Sequence, residues 1–232
     1  MRNLLIDAYN FDKSNIKMLR DDSENSLLMP TYENIMRELN DIACSNNDEV
    51  WIQYSGHGSQ ILDSDNTLDD VIVPIDFMKT TYILDHDIHE ILLLKIKCNA
   101  ILIFDCCHSG SIGNLPWSFV MSDNNKNIMT IYNNNNKMTN PNIYLLSGCQ
   151  DNQTSTDDYN KELSQDIGAF SNAFNECLRD SHHQIDIMTL YKNICINLTA
   201  NEYSQRPFFH VVSIYQNMFF QDNVKPITKS TQ

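Results

Sequence analysis

Two cysteines and a histidine sit where a sheet could bring them together. Asp105-Cys106-Cys107-His108-Ser109-Gly110 follows the apolar run Ala100-Ile101-Leu102-Ile103-Phe104, which reads as a buried strand. Upstream, Glu49-Val50-Trp51-Ile52-Gln53-Tyr54 reads as a second strand and runs into Ser55-Gly56-His57-Gly58. A thiol at one strand end and an imidazole between glycines at another are the parts of a nucleophilic pair, in which the imidazole handles protons and the sulfur attacks a carbonyl. Open α/β sheets present such groups at the carboxyl ends of their strands. Side chains alternate along a strand, so Cys106 continues the row of Leu102 and Phe104 into the core. Cys107 falls past the strand end, where the amides of a following helix can lower its pKa. Cys107 is therefore the expected nucleophile and His57 the expected base, while His108 adjoins the nucleophile and has poor geometry for that role. The plainer alternatives are two core cysteines acting as small hydrophobes and a histidine that only supports a turn.

These blocks, Tyr54-Ser55-Gly56-His57-Gly58-Ser59-Gln60 and Asp105-Cys106-Cys107-His108-Ser109-Gly110, resemble the two signature blocks of the type I metacaspases. A histidine about 50 residues before the cysteine is the caspase-type arrangement. Asp69-Asp70-Val71-Ile72-Val73-Pro74-Ile75-Asp76, Ser147-Gly148-Cys149-Gln150-Asp151-Asn152-Gln153-Thr154-Ser155, Gly168-Ala169-Phe170-Ser171 and Tyr203-Ser204-Gln205-Arg206-Pro207 agree with the family in its order. The resemblance implies a caspase-like α/β sandwich and a cysteine endopeptidase with Cys107 as nucleophile. It also implies oxyanion donors at the Gly58 and Cys107 amides. Asp105, two residues before Cys107, is expected on the same face, where an acid could read a cationic P1 side chain. The family likeness makes that side chain Arg or Lys and adds Ser55 as a second pocket wall. The other reading of Asp105 is an acid that caps nearby amides.

The resemblance also implies a calcium site, with family acids falling on Asp69 and Asp85 and two others on His86 and Asn114. Half of that charge is gone, so calcium is expected to bind weakly if at all, and no cofactor is expected to be required. The loop from Asp63 to Asp70 imitates the start of an EF-hand, but Leu68 stands where that loop needs Gly and Pro74 where it needs Glu. The family begins with a strand that lies mid-sheet and a turn that supplies an acid to the pocket, whereas this chain starts inside the helix that follows. The expectation is a rearranged sheet, another segment in the gap, or a chain that is part of a longer protein.

At 232 residues the chain suits one caspase-like domain. Its expected parts are residues 1–120 with His57 and Cys107, a mobile Asn-rich linker over 121–142, and residues 143–232. Strands alternating with helices argue a mostly parallel sheet covered on both faces. Residues 1–10 read as half an amphipathic helix, Asn15 to Leu19 as a short strand, and Pro30 or Thr31 to Cys44 as a helix. Further helices are expected over Asp85–Lys97, Gly168–Asp180 and Ile185–Leu198, and strands over Val71–Val73, Asn142–Ser147 and Phe208–Ile214. The formal net charge of −14 argues against nucleic acid and would favour basic peptide or protein substrates. There is no apolar run long enough to span a bilayer, so no membrane is expected. Seven cysteines without framework-like spacing fit reduced thiols in the cytoplasm, and a monomer is expected.

A tyrosine-phosphatase loop would need Arg where Gly113 stands, and no glycine-rich phosphate loop with its Lys exists. A zinc site from Cys106, Cys107, His108 and His57 is opposed by alternation of neighbouring side chains. The remaining non-enzyme alternative is a caspase-like pseudoprotease that binds or regulates. Lys126 and Lys137, in the Asn-rich stretch, are the places where a Lys-cleaving protease would nick itself.

Overall fold

The computed structural model describes residues 1–62, 66–122, 125–133, 140–149, 157–160 and 165–214. Its frame is a six-stranded sheet made of β1 (Glu49–Ser55), β5 (Asn99–Asp105), β6 (Trp117–Met121), β7 (Ile128–Tyr132), β8 (Ile143–Ser147) and β11 (Phe208–Val211), in the order β1-β5-β8-β11-β6-β7. The parallel part is β1, β5 and β8. The rest is antiparallel, so the sheet is mixed and not mostly parallel as expected, with its parallel half carrying both signature blocks. Outside it, β2 (Gly58–Leu62), β3 (Leu68–Ile72) and β4 (Ile83–Leu84) form a small antiparallel sheet, and β9 (Asp157–Asn160) pairs with β10 (Gln165–Gly168).

Alternation along β5 sorts its side chains into two cores. Ile101 and Ile103 join Tyr144, Leu146 and Phe209 on one face, under α4 (Ala169–Asp180), α5 (Ile187–Ala200) and the short α1 (Arg2–Asp7). Ala100, Leu102, Phe104 and Cys106 join Leu145 on the other, under α2 (Tyr32–Cys44) and the segment opened by α3 (Asp85–Asp87). Thr31 caps α2 by accepting from Asn34 N–H at 3.3 Å, and Asp186 caps α5 by accepting from Thr189 N–H at 2.9 Å. Each such cap is worth about 1 kcal/mol. After α3 the expected helix runs on as a π-helical stretch, Ile88–Leu93, which buries Ile88, His89, Leu92 and Leu93. The wider turn places consecutive pairs of these residues on the core side, a pattern that also reads as α-helical in sequence.

Two expectations fail here. Asn15 to Leu19 is not a strand: Lys13–Asn15 is a 3-10 turn capped by Asp12, and no strand pairs with the residues that follow. A strand needs a ladder partner, and among the described residues none lies on the outer side of β1, which is a sheet edge. The Asn-rich stretch is not all loop, since Ile128–Tyr132 forms β7 and pairs with β6 from Trp117↔Tyr132 to Met121↔Ile128.

His210 on β11 is buried, with Nδ1 2.8 Å from Ser118 Oγ and Nε2 3.5 Å from Ser147 Oγ. Burial pushes its pKa down to about 3. The fold therefore holds the neutral ring, while the unfolded chain takes up a proton below about 6.5. Stability should fall by about 1.4 kcal/mol per pH unit as pH drops from 6.5 towards 3. Urea titrations at pH 7 and pH 4.5 should show this loss, and His210→Gln should flatten it at a cost of about 1–2 kcal/mol at neutral pH.

Candidate active site

The register of two strands builds the site. β1 and β5 pair in parallel with Glu49 opposite Asn99 and Ser55 opposite Asp105, an offset of 50 positions. His57 and Cys107 are separated by the same 50 positions. Each lies two residues beyond its strand, so the ladder delivers both to one carboxyl edge. The Gly56 N–H still reaches the Asp105 carbonyl at 3.4 Å, which holds the two exits side by side.

The turn at His57 is fixed through its backbone while its side chain is exposed. Its carbonyl accepts from Val73 N–H at 3.0 Å and from the Tyr54 hydroxyl at 2.7 Å. Burial, with Cys106 nearby, raises the Tyr54 pKa, keeping that hydroxyl a donor. Gly58 then starts β2 and lies directly on the Cys107 backbone: a Cβ at position 58 would sit 2.0 Å from the Cys107 carbonyl oxygen and 3.2 Å from Cys106 Sγ. The two expected oxyanion residues are thus in contact through their main chains, and glycine is required by that contact.

Past β5 the two thiols separate. Cys106 is fully buried in the core and its pKa is raised well above the ordinary range, chiefly by burial. Such a thiol is a poor nucleophile. Cys107 is only half-buried. His108 carries a positive φ of 51°, which turns the chain sharply after Cys107, and the Ser109 hydroxyl ties the turn back to the Cys106 carbonyl at 2.9 Å.

Ser55 and Asp105 are ladder partners and point to one face. Asp105 is 4% exposed, and its Oδ2 accepts from Ser171 N–H at 3.0 Å in the first turn of α4, whose N-cap, Gly168, has no side chain to do so. A Cβ on Gly168 would fall 2.0 Å from that oxygen, and one on Gly148 would lie 3.3 Å from the other. Gln53, one step down the same face, reaches Ser55 Oγ at 3.0 Å and Ser171 Oγ at 3.3 Å. Both Gln53 and Ser171 escaped the sequence reading. Gln53 had a signal in its spacing of two from Ser55, and Ser171 lies in the Gly168–Ser171 stretch that resembles the family, but nothing in the sequence ties it to Asp105, 66 residues away.

Another unanticipated tie joins the two blocks. Asp70, buried on β3, accepts from Gln60 Nε2 at 2.9 Å and from the Ser111 hydroxyl. It thereby links the hairpin that follows His57 to the loop that follows Cys107. Asp69 and Asp85 lie beside it, and burial, followed by the charges of Asp69 and Asp70, pushes the Asp85 pKa up to about 6. His86 is exposed, and Asn114 is half-buried with a left-handed φ of 45°. Among the described residues no three His, Cys, Asp or Glu side chains gather so as to hold a metal. The residues of the expected calcium set therefore share a field without converging as placed. Lys126 is exposed in the bend between β6 and β7, and Lys137 lies outside the described residues.

Residues 1–116, which include both blocks, match the metacaspase, peptidase C14 domain family. The chain belongs to the metacaspase family. Metacaspase-1 of Kluyveromyces lactis is 29% identical over 258 aligned residues, covering 89% of this chain and 59% of that protein. Metacaspase-1 of Candida glabrata is 29% identical, covering 88% of this chain and 64% of that protein. Metacaspase-2 of Trypanosoma brucei brucei is 37% identical over 138 residues, covering 55% of this chain and 40% of that protein. The chain thus spans less than two thirds of the curated metacaspases it matches. The family is one of cysteine peptidases, and its caspase-like α/β fold agrees with the six-stranded sheet and its helices. No helix among the described residues is long and apolar enough to cross a membrane.

Proposed function

We propose that this metacaspase chain is a cysteine endopeptidase that cleaves after Arg or Lys. The observation that carries the reading is the shared offset of 50, which brings His57 and Cys107 to one edge. In the reaction Cys107 Sγ attacks the scissile carbonyl, His57 takes the thiol proton and returns it to the leaving amine, and the Gly58 and Cys107 amides receive the oxyanion. Water then releases the acyl group. The substrates are basic peptides or proteins, favoured by the net charge of −14, and the setting is cytoplasmic, consistent with seven cysteines that form no disulfide. The working unit is a monomer, without nucleic acid or membrane. The test is hydrolysis of a peptide library varied at P1 by the purified chain. A folded protein that cleaves nothing, with calcium present, would favour the second reading, a regulatory module that binds without cleaving.

Basic specificity rests on Asp105 with Ser55 at its side. Asp105→Asn keeps an acceptor for the Ser171 amide but removes the charge. It should lower kcat/KM for an Arg-P1 peptide by about 30- to 1,000-fold, equivalent to roughly 2–4 kcal/mol, with little change in melting temperature. Asp105→Ala should additionally cost about 1–2 kcal/mol of stability, because the first turn of α4 loses its acceptor. Selection of Asp at P1 would refute the basic pocket.

Calcium activation belongs to the same proposal and should require high micromolar to millimolar concentrations. The fold raises the Asp85 pKa to about 6 from an ordinary 3.8. Its stabilising contribution is therefore complete below pH 3.8 and is lost as pH rises through 6. Asp85→Asn should raise stability at pH 7.5 by about 1 kcal/mol after allowance for solvent screening, and by nothing near pH 3.5. Melting curves at the two pH values, with and without calcium, measure both effects. A calorimetric binding constant below the micromolar range would show that further ligands complete the site. Self-cleavage after Lys126 or Lys137 is the corresponding processing proposal.

A further inference from the structure

The thiols of Cys106 and Cys149 lie next to one another beneath the proposed nucleophile, and the proposed mechanism uses neither. The β5–β8 ladder runs from Ala100↔Ile143 to Phe104↔Ser147. It continues past Ser147, since Gly148 N–H donates to the Phe104 carbonyl at 2.8 Å. Two residues further on, the same offset sets Cys106 opposite Cys149. In adjacent parallel strands, residues two beyond a pair fall on the face of that pair, so both thiols follow Phe104 and Ser147. The spacing of neighbouring strands, about 4.8 Å, lies within the Cα separation a disulfide needs. Both residues are fully buried. A charge on Cys106 would also feel Cys149 more strongly than its own chain neighbour Cys107. Gln205 Nε2 lies 3.4 Å from Cys149 Sγ and 3.3 Å from the Gly148 carbonyl, pinning the end of β8 at this point.

We propose that Cys106 and Cys149 are a redox modification site, a dithiol that a hydroperoxide converts to an intrachain disulfide. When the His57 turn opens and water reaches the pair, Cys106 loses the burial that otherwise holds it protonated. One sulfur, as thiolate, then attacks the peroxide, the O–O bond breaks, and a sulfenic acid and an alcohol (or water) result. The second thiol displaces water from the sulfenic acid, forming the S–S bond. The two thiol hydrogens leave in the alcohol and the water, and the peroxide is reduced by two electrons. Access runs through the His57 turn. Gly56 and His57 are exposed, and Gly58, which has no side chain, lies directly over Cys106 Sγ. A small displacement of that turn admits a peroxide. The bridge ties the carboxyl ends of β5 and β8, leaves Cys107 as a thiol, and opens again with a dithiol reductant. In a reducing compartment it forms only under oxidant load.

The test needs no peptidase activity and so stands apart from the proposed function. The full chain and its Cys107→Ala form are treated with hydrogen peroxide, alkylated, and mapped by mass spectrometry without reduction. The expected result is a peptide joining Cys106 to Cys149 in both forms, lighter by two hydrogens than its parts, and lost on adding dithiothreitol. Cys106→Ser and Cys149→Ser should each abolish it, and melting of the oxidised wild type should shift upward by several degrees relative to the reduced protein. The proposal is overturned if Cys106 and Cys149 both remain alkylatable after denaturation while Cys107 is oxidised. It is also overturned if the bridge found joins Cys107 to either of them.

Discussion

Cys107→Ala should reduce hydrolysis of an Arg-P1 peptide to background, a loss on the order of 10⁴- to 10⁶-fold. Cys106→Ala should keep the rate within a few-fold and cost about 1 kcal/mol of stability. The reasoning lies in where each thiol sits. Cys106 is the last member of the row Ala100, Leu102, Phe104 that faces the core, and burial holds it protonated. Cys107 follows the strand, is half-buried, and turns away at the left-handed His108. Steady-state kinetics on the three proteins decides the matter. Activity in Cys107→Ala equal to wild type would remove Cys107 from the reaction, and loss in Cys106→Ala alone would move the nucleophile one residue upstream.

Gly58→Ala should be less damaging than Cys107→Ala but still severe, although it removes no reacting side chain. The added Cβ would lie 2.0 Å from the Cys107 carbonyl oxygen, a backbone atom that cannot swing aside. Either the His57 turn or the Cys107 loop must move by about an ångström, and a misplacement of that size costs on the order of 10²-fold in rate. The expected pattern is a fall in kcat of that order, with the fold retained as judged by circular dichroism. Gly56→Ala provides the comparison. Its Cβ would meet the Tyr54 hydroxyl at 2.9 Å, a side-chain atom able to adjust, so its effect should be several-fold smaller. Equal activity in Gly58→Ala and wild type would mean that the two turns are not pressed together as described.

That His57 and Cys107 leave neighbouring strands at one sheet edge was legible in the sequence because it depends on local features. Two short apolar runs end in small residues, and their separation equals the ladder offset between β1 and β5. The helix α2 was legible from its spacing and its opening at Thr31 for the same reason, whereas α5 was expected from Ile185 and begins after its cap, Asp186. β7 was hidden because five strand-forming residues, Ile-Met-Thr-Ile-Tyr, stand within an Asn-rich stretch whose composition argues for loop. Asn15 to Leu19 shows the opposite error. It has a strand-like composition but no neighbouring strand to pair with among the described residues. The ties that position the site were the least legible. Asp70 to Ser111 spans 41 positions and Asp105 to Ser171 spans 66. Hydrogen bonds across such separations leave no periodicity to read, and an acid that caps a distant helix looks in sequence like any strand-end acid.

The central claim is that Cys107 is the nucleophile of a site that accepts a basic P1 side chain. A peptidyl acyloxymethyl ketone with Arg at P1 tests both halves at once, because it alkylates the sulfur that would attack the scissile carbonyl. The purified chain is incubated with the Arg reagent or its Asp-P1 counterpart, digested, and mapped by mass spectrometry. The account predicts stoichiometric labelling of Cys107 by the Arg reagent, none on Cys106, and labelling by the Asp reagent slower by at least about 100-fold. Labelling of Cys106 or of surface-exposed Cys44 in place of Cys107, or equal rates with the two reagents, would contradict it.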